Sequence, residues 1–294
     1  APIAFVIAFI PMLLIAFAYR ELNNAVPDCG TAFTWATKAF GPWVGWMGGW
    51  GVAIAGMIVL ANLAQIASVY FWSLIGFDLE NNDWRIVLVA VLFIAAMTWV
   101  SWRGVEIGER IQNILLGIQY LALIVFVVAA LTQFFAGSAP GATAFDWQWL
   151  NPFAFGEWGG FVEAILLSIF IYWGWDTCLA LNEETRDPKR IPGLAALLTC
   201  VLLLVTYVTV AIAAMMYAGL GEDGPGLAND ANADDFFLGI RDGLLGPWGW
   251  LLVVAVLISA VSSTQTTILP TARGTLAMGV YRALPAKFKH VHPD

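Results

Sequence analysis

The 294-residue chain is apolar and acidic, with 60% hydrophobic residues, 12% charged residues and a formal net charge of −8. A soluble globular protein has about twice that charged fraction, so the composition is that of a membrane protein. The acidic balance and the lack of a basic stripe in the sequence argue against a nucleic-acid partner. The three cysteines, Cys29, Cys178 and Cys200, are too scattered to form a metal site or a disulfide framework.

Seven apolar segments are long enough to cross a bilayer, which takes about 20 apolar residues. In chain order they cover residues 1–19, 43–75, 85–102, 111–136, 160–181, 193–219 and 246–281. The second and the last exceed one crossing and are expected to be tilted. We therefore predict an all-α polytopic transmembrane protein with about seven spans in a single domain, 1–294. The sequence begins inside an apolar span and without Met, so we expect further sequence upstream of Ala1.

Basic residues are distributed unequally between the two sides that these spans create. Of the 13 Lys and Arg residues, only Arg85 and Arg241 fall on the side that carries most of the loop acids. Because cytoplasmic loops are enriched in Lys and Arg, we predict a multi-pass plasma-membrane protein with its N-terminus outside and its C-terminus in the cytoplasm. The outer loop 220–245 is expected to end in a short interfacial helix. Its apolar face would comprise Phe236, Phe237, Ile240 and Leu244.

The stretch from Ser168 to Pro192, SIFIYWGWDTCLALNEETRDPKRIP, differs from an ordinary membrane span. Gly174 permits backbone conformations that interrupt a helix, so we expect a break near 173–176, and Asp176 is the only acid deep within a span. An unwound segment presents N–H groups that attract a carboxylate and carbonyls that attract an ammonium. The alternatives are a packing glycine and an aspartate that bonds to a neighbouring helix. We favour a substrate or ion site of a transporter.

The last span contains six consecutive polar residues, 262–267. Their hydroxyls are suited to Na⁺ or to a substrate, whereas the alternative is bonding back to helix carbonyls and between helices. We expect one or two to line the site, with Ser262, Ser263 and Gln265 as candidates. Gln119, in the fourth span, is expected from its position to bond between helices. His290 and His292 are a weak metal signal, and no metal is expected.

Several activities are not expected. The sequence contains no H-E-x-x-H, G-x-S-x-G or P-loop motif, and its loops are too short for a catalytic domain, so an enzyme is not expected. A retinal Schiff base of the seven-helix photoreceptor kind has no attachment residue within a span. The four lysines, all outside the spans, are Lys38, Lys189, Lys287 and Lys289.

Several motifs resemble those of amino acid permeases of the amino acid–polyamine–organocation superfamily. In order they are Ala18-Tyr-Arg-Glu-Leu-Asn-Asn-Ala-Val-Pro with Gly30, Lys38-Ala-Phe-Gly-Pro, Tyr172-Trp-Gly-Trp-Asp176 with Glu183-Glu184 and Asp187-Pro-Lys-Arg-Ile-Pro192, and Arg282-Ala-Leu-Pro-Ala-Lys-Phe with Val291-His-Pro. The resemblance implies a leucine-transporter-like fold of two inverted five-helix repeats, here represented by its helices two to eight. The remaining transmembrane helices of the same polypeptide would then lie outside this sequence.

The resemblance also implies residue roles. Phe170 falls at an aromatic gate position, and Asp176 matches an acidic position seen in several members. The backbone that would bind a substrate amine comprises Ile171, Tyr172, Trp173, Gly174 and Trp175. Ser262 and Ser263 lie where sodium-coupled members place hydroxyl ligands. Gln119 aligns where proton-coupled members often have Lys, so H⁺ or Na⁺ coupling stays open.

The leading hypothesis is a secondary active transporter of an amino acid or related amine, working by alternating access as part of a longer polypeptide. Its partners would be that substrate and the lipid bilayer, and no cofactor beyond a coupling ion is expected. A second hypothesis is a non-transporting membrane sensor or receptor that binds an amino acid in the same pocket. A third, a seven-helix receptor complete as written, is disfavoured because the chain starts within a span.

Overall fold

The computed structural model describes residues 2–77, 79, 83–154, 158–229, 232 and 235–290, with only the backbone described at 105–107. These residues form helices, turns and irregular loops, and no strand occurs among them. The predicted motif Val291-His-Pro, including His292, lies outside the described residues. Four acidic residues of the predicted outer loops also lie outside the described residues: Asp78, Glu80, Asp230 and Asp234.

Among the residues that the structure describes, six helices are long and apolar enough to cross a bilayer. They are α1 (Pro2–Ala25), α3 (Pro42–Leu74), α4 (Trp84–Trp102), α5 (Val105–Phe135), α8 (Ile191–Ala218) and α10 (Trp250–Val280). Shorter helices are α2 (Ala32–Phe40), α6 (Trp158–Ile171), α7 (Thr177–Ala180) and α9 (Phe236–Leu245). The predicted all-α polytopic membrane protein is confirmed.

Local sequence signals set several helix boundaries. Pro42 occupies the first turn of α3, where its missing N–H costs no hydrogen bond, and Gly41 before it has a φ of +93°. The Asp83 side chain accepts a hydrogen bond from the Arg85 N–H at 2.9 Å and so caps α4. Gly219, with a φ of +75°, ends α8. Pro270 lies inside α10 without ending it.

The long helices pack in two groups. In the first group, α1 contacts both α6 and α8. In the second group, α3, α4 and α10 all contact one another. Helix α5 contacts both α8 and α10. Small side chains bring the axes together: Ala16 and Ala196 are fully buried between α1 and α8, and Gly56 of α3 faces Thr271 of α10.

Hydrogen bonds join helix ends and loops at each end of the bundle. At the basic end, where Lys38 and Arg282 lie, the Asn23 side chain donates to the Pro188 carbonyl at 2.7 Å. At the acidic end, the Gln133 side chain donates to the Leu244 carbonyl at 2.7 Å, and the Tyr70 hydroxyl donates to Asp235.

Helix α9 corrects one detail of the sequence analysis. The short helix is present, but its apolar face does not rest on the membrane surface. Ile240 and Leu244 are buried against Phe126, Tyr217 and Leu252 of the long helices. The loop therefore folds back into the acidic end, because its apolar face has protein partners there.

We expect Gly45→Ala to destabilise the corner between α2 and α3. A Cβ at Gly45 would lie 2.8 Å from the Thr37 Cα, a backbone atom that cannot rotate away. Overpacking of this kind costs ~1–3 kcal/mol, which thermal unfolding followed by tryptophan fluorescence in detergent would detect. Gly51→Ala is the matched control, because nothing lies within 4 Å of a Cβ there. Equal loss of stability in both variants would contradict the packing argument.

Candidate functional site

A cavity of about 410 Å³ lies at mid-height in the bundle. Its walls come from the middle of α3, from α5, from the segment between α6 and α7, from α8 and from the middle of α10. Gly56 of α3 and Ser263 of α10 both lie near the centres of their helices. The cavity is therefore about half a bilayer from either surface, since each helix spans the whole bilayer.

The backbone is non-helical between the end of α6 at Ile171 and the start of α7 at Thr177. Gly174 has a φ of +100°, and nothing lies within 4 Å of a Cβ there, so conformation rather than space requires glycine. Within the described residues, the N–H groups of Gly174 and Trp175 have no backbone acceptor, and the carbonyls of Tyr172 and Trp173 accept no hydrogen bond.

Tyr207 of α8 compensates part of this interruption. Its hydroxyl donates to the Ile171 carbonyl at 2.9 Å, which is one of the carbonyls that the end of α6 leaves unpaired. Tyr207 also lines the cavity. The sequence analysis did not identify this residue, because a single tyrosine in an apolar span resembles ordinary packing.

The structure brings most of the predicted site residues to this cavity. Phe170, Ile171, Trp173, Gly174 and Asp176 line it from the interrupted helix. Phe170 is 57% exposed, and none of the ion pairs in the described ranges involves Asp176. The two remaining lining candidates are Gln119 and Ser263.

Two of the predicted aromatic residues point elsewhere. Tyr172 is fully buried, and its hydroxyl donates to the Phe5 carbonyl of α1 at 3.1 Å. Trp175 packs in the cluster between α1 and α8, with its ring centroid 5.3 Å from that of Tyr19. Both side chains hold the interrupted segment against α1, and neither residue lines the cavity.

Ser262 and Gln265 also face away from the cavity, toward α5. The Ser262 hydroxyl donates to the Gln112 side chain at 2.5 Å, and the Gln112 amide donates to the Gln265 side-chain oxygen at 2.9 Å. The Gln265 amide nitrogen is buried without a partner among the described residues. The sequence analysis missed Gln112, although its spacing of seven residues from Gln119 places both on one helix face.

The α10 wall of the cavity consists largely of hydroxyl groups. Thr267 and Thr271 each donate to the carbonyl one turn earlier, both at 2.8 Å, and Thr266 donates to the Ser263 carbonyl at 3.1 Å. Each threonine has a single hydroxyl hydrogen, so these bonds leave only oxygen lone pairs for the cavity. These three threonines thus offer acceptors rather than donors to the cavity.

Polar contacts close the basic end below the cavity. Arg273 of α10 forms an ion pair with Glu184, in the turn after α7. The Tyr281 hydroxyl, after α10, donates to Asp28 at 2.7 Å, and the Cys29 N–H donates to Glu183 at 3.4 Å. These contacts connect the loop between α1 and α2, the segment after α7 and the end of α10.

The same contacts shift two pKa values outside the membrane-spanning segments. Burial, assisted by the nearby Glu183 carboxylate, raises the pKa of the Cys29 thiol from 9.0 to about 12. The hydrogen bond to Asp28, together with partial burial, raises the pKa of Tyr281 to about 12. Both groups therefore stay protonated at neutral pH.

We expect Cys29 to react slowly with N-ethylmaleimide while the basic end is closed. The thiolate is the reactive form, and a pKa raised by three units lowers its share about a thousandfold near pH 8. Labelling of a variant whose other cysteines are alanine should keep rising with pH through 10, as measured by mass spectrometry. The denatured protein is the control, and a plateau by pH 9.5 in the native protein would contradict this assignment.

Charge reversal tests the ion pair. We expect Arg273→Glu or Glu184→Arg alone to speed Cys29 labelling by about 10-fold, because like charges favour local opening. The double variant restores opposite charges and should return the rate toward that of the unmodified protein. Rates that add in the double variant, without recovery, would show that the two side chains do not interact.

Comparison with known proteins identifies the family of this chain. The amino acid permease family model matches residues 1–294. A branched-chain amino acid permease and a methylthioribose transporter, both of Bacillus subtilis, are each 24% identical over 99% of this chain and 62% of their own length. A low-affinity putrescine importer of Escherichia coli K12 is 26% identical over 68% of this chain and 43% of its own length. The chain spans less than two thirds of these relatives, and it belongs to the amino acid permease family.

Proposed function

We propose that this chain forms the central part of a secondary active transporter for an amino acid or a related amine. The observation that carries the proposal is the cavity at mid-height, into which an interrupted helix brings unpaired backbone groups and Asp176. Transporters place substrate at such interruptions, because free N–H and carbonyl groups replace the water that a zwitterion loses. The names of the relatives support the same class.

In this mechanism the substrate binds beside Gly174, and Phe170 closes over it. Helices α1, α6, α7 and α8 then rock against α3, α4 and α10 and expose the cavity to the other side. The two packing groups of the fold support this division, and the leucine-transporter-like arrangement of inverted repeats is part of the proposal. H⁺ or Na⁺ would supply the driving force, with Gln119 and Ser263 as the candidate polar groups within the cavity.

The basic end acts in this proposal as the cytoplasmic gate. The Arg273–Glu184 ion pair and the Tyr281–Asp28 hydrogen bond both connect α10 to segments that belong with the other helix group. Opening toward the basic end therefore requires both contacts to break. The excess of Lys and Arg at this end supports its assignment to the cytoplasm, with the start of the chain on the outer side.

We further propose that helices of the same polypeptide outside this sequence complete the cavity. Phe170 and Trp173 are 57% and 46% exposed, although both line a site at mid-membrane. The relatives extend beyond the matched region, since this chain covers 62% of two of them. Another helix packed against these side chains would shield the site from lipid.

A counterflow assay on the full-length protein in liposomes tests the proposal. Amino acids and amines loaded inside should drive uptake of labelled substrate, and Gly174→Ala should reduce it at least tenfold, because a φ of +100° is strained for alanine by ~1–3 kcal/mol. Gly160→Ala, in the regular part of α6 with no neighbour within 4 Å, is the matched control. Ligand binding without flux across a broad panel would favour the receptor hypothesis instead.

A further inference from the structure

A second pocket, of about 300 Å³, lies at the basic end of the bundle. Its walls come from α2, from the start of α3 and from the chain just after α10. Its volume is that of a small-molecule site, and it shares no lining residue with the cavity at mid-height. The pocket is therefore a separate candidate site on the same bundle.

Two cationic side chains line this pocket. Lys38 and Arg282 are both exposed, and neither forms an ion pair with any residue that the structure describes. The nearby acid, Asp28, does not line the pocket, and its carboxylate accepts hydrogen bonds from the hydroxyls of Thr34 and Tyr281, both at 2.7 Å. The two cations are therefore available to an anion.

The backbone at Arg282 gives a reason that does not depend on charge. Arg282 has a φ of +61°, in the left-handed region that glycine usually occupies after a helix. Its N–H donates to the Gly279 carbonyl at 3.2 Å. The next N–H, that of Ala283, donates to the Met278 carbonyl at 2.8 Å, which completes the hydrogen-bond pattern of a glycine-terminated helix.

Glycine adopts this conformation without the steric cost that arginine meets. The end of α10 would thus be served at least as well by glycine, and the arginine side chain needs a second reason to be there. The alternative is that its guanidinium only complements the dipole of α10.

The pocket lies at the level of the lipid headgroups. Helix α3 has 33 residues and begins at Pro42, which lines the pocket. A helix of that length is about 50 Å long, whereas a bilayer with its headgroups is about 40–45 Å thick. The aromatic rings of Phe40 and Trp43, beside Pro42 in the chain, are 75% and 80% exposed, as is typical of side chains at a membrane interface.

We propose that this pocket binds the phosphate of an anionic phospholipid from the leaflet at the basic end, with Lys38 and Arg282 as its ligands. Guanidinium and ammonium groups are the usual partners of phosphate, and basic pockets between transmembrane helices suit anionic headgroups. The apolar side chains of Phe33 and Ala283 also line the pocket. They match the glycerol ester region of a lipid better than a fully hydrated phosphate ion.

Native mass spectrometry of the full-length protein in detergent tests the proposal without a transport assay. Phosphatidylglycerol and phosphatidylcholine are titrated in parallel, and glycerol 3-phosphate is added as the soluble competitor. We expect phosphatidylglycerol to bind about 10- to 30-fold more tightly than phosphatidylcholine, because two cations attract its net charge. An excess of glycerol 3-phosphate should not displace the bound lipid.

Substitutions assign the preference to the pocket. Lys38→Gln and Arg282→Gly should each reduce it about fivefold, and the double variant should abolish it. Lys189→Gln is the matched control, because Lys189 is an exposed lysine of the basic end that does not line the pocket. Without lipid, Arg282→Gly should unfold at the same temperature as the unmodified protein or at a higher one, since glycine fits the left-handed conformation.

Four results would overturn the proposal. An equal loss of preference in Lys189→Gln would show that the overall charge of the basic end suffices. Displacement by glycerol 3-phosphate at matched ionic strength would identify a free phosphate as the ligand. No preference in the full-length protein would mean that the pocket takes another occupant, a segment of the same polypeptide included. Lower lipid-free stability of Arg282→Gly with an intact preference would show that the arginine serves only the end of α10.

Discussion

A backbone that crosses a membrane must satisfy its own hydrogen bonds, and the rest of this structure depends on the segment between α6 and α7, where it does not. Helix α6 stops at Ile171 in the middle of the bundle, where lipid cannot supply the missing partners. Such an interruption persists only where protein or a polar cavity surrounds it. Tyr207 supplies a donor for the Ile171 carbonyl, and Tyr172 fixes the segment to the α1 backbone at Phe5. Trp173 and Gly174, which carry some of the groups that stay unpaired, line the cavity.

The other polar contacts lie either between helices in the bundle or near its basic end, and their effect on stability depends on that position. The Gln112–Ser262–Gln265 group joins α5 to α10 away from the cavity, where buried amides fix the register of two helices. The contacts of Arg273 and Asp28 lie near the bundle end, where water is close and opening is less costly. A rigid middle and a separable end suit a protein that exposes one site to two sides.

The sequence was sufficient to predict an all-α polytopic membrane protein, because hydrophobic length is a property of single segments. It was not sufficient to predict which way neighbouring polar side chains point. Ser262 and Ser263 are adjacent, yet one faces α5 and the other the cavity, since successive helical residues differ by about 100°. Tyr172 and Trp173 diverge for a similar reason. Gln112 was missed because its role depends on α10, which follows it by more than a hundred residues.

Pro270 makes α10 easier to bend, although the helix continues through it. Proline has no N–H, so the carbonyl of Thr266, one turn earlier, lacks its usual helical donor at the level of the cavity. A helix bends most easily where this ladder is incomplete. The bend point lies between most of the α10 residues that line the cavity and Arg273. The chain beyond Pro270 carries both Arg273 and Tyr281, so a bend at this point acts on the ion pair with Glu184 and on the hydrogen bond to Asp28 together.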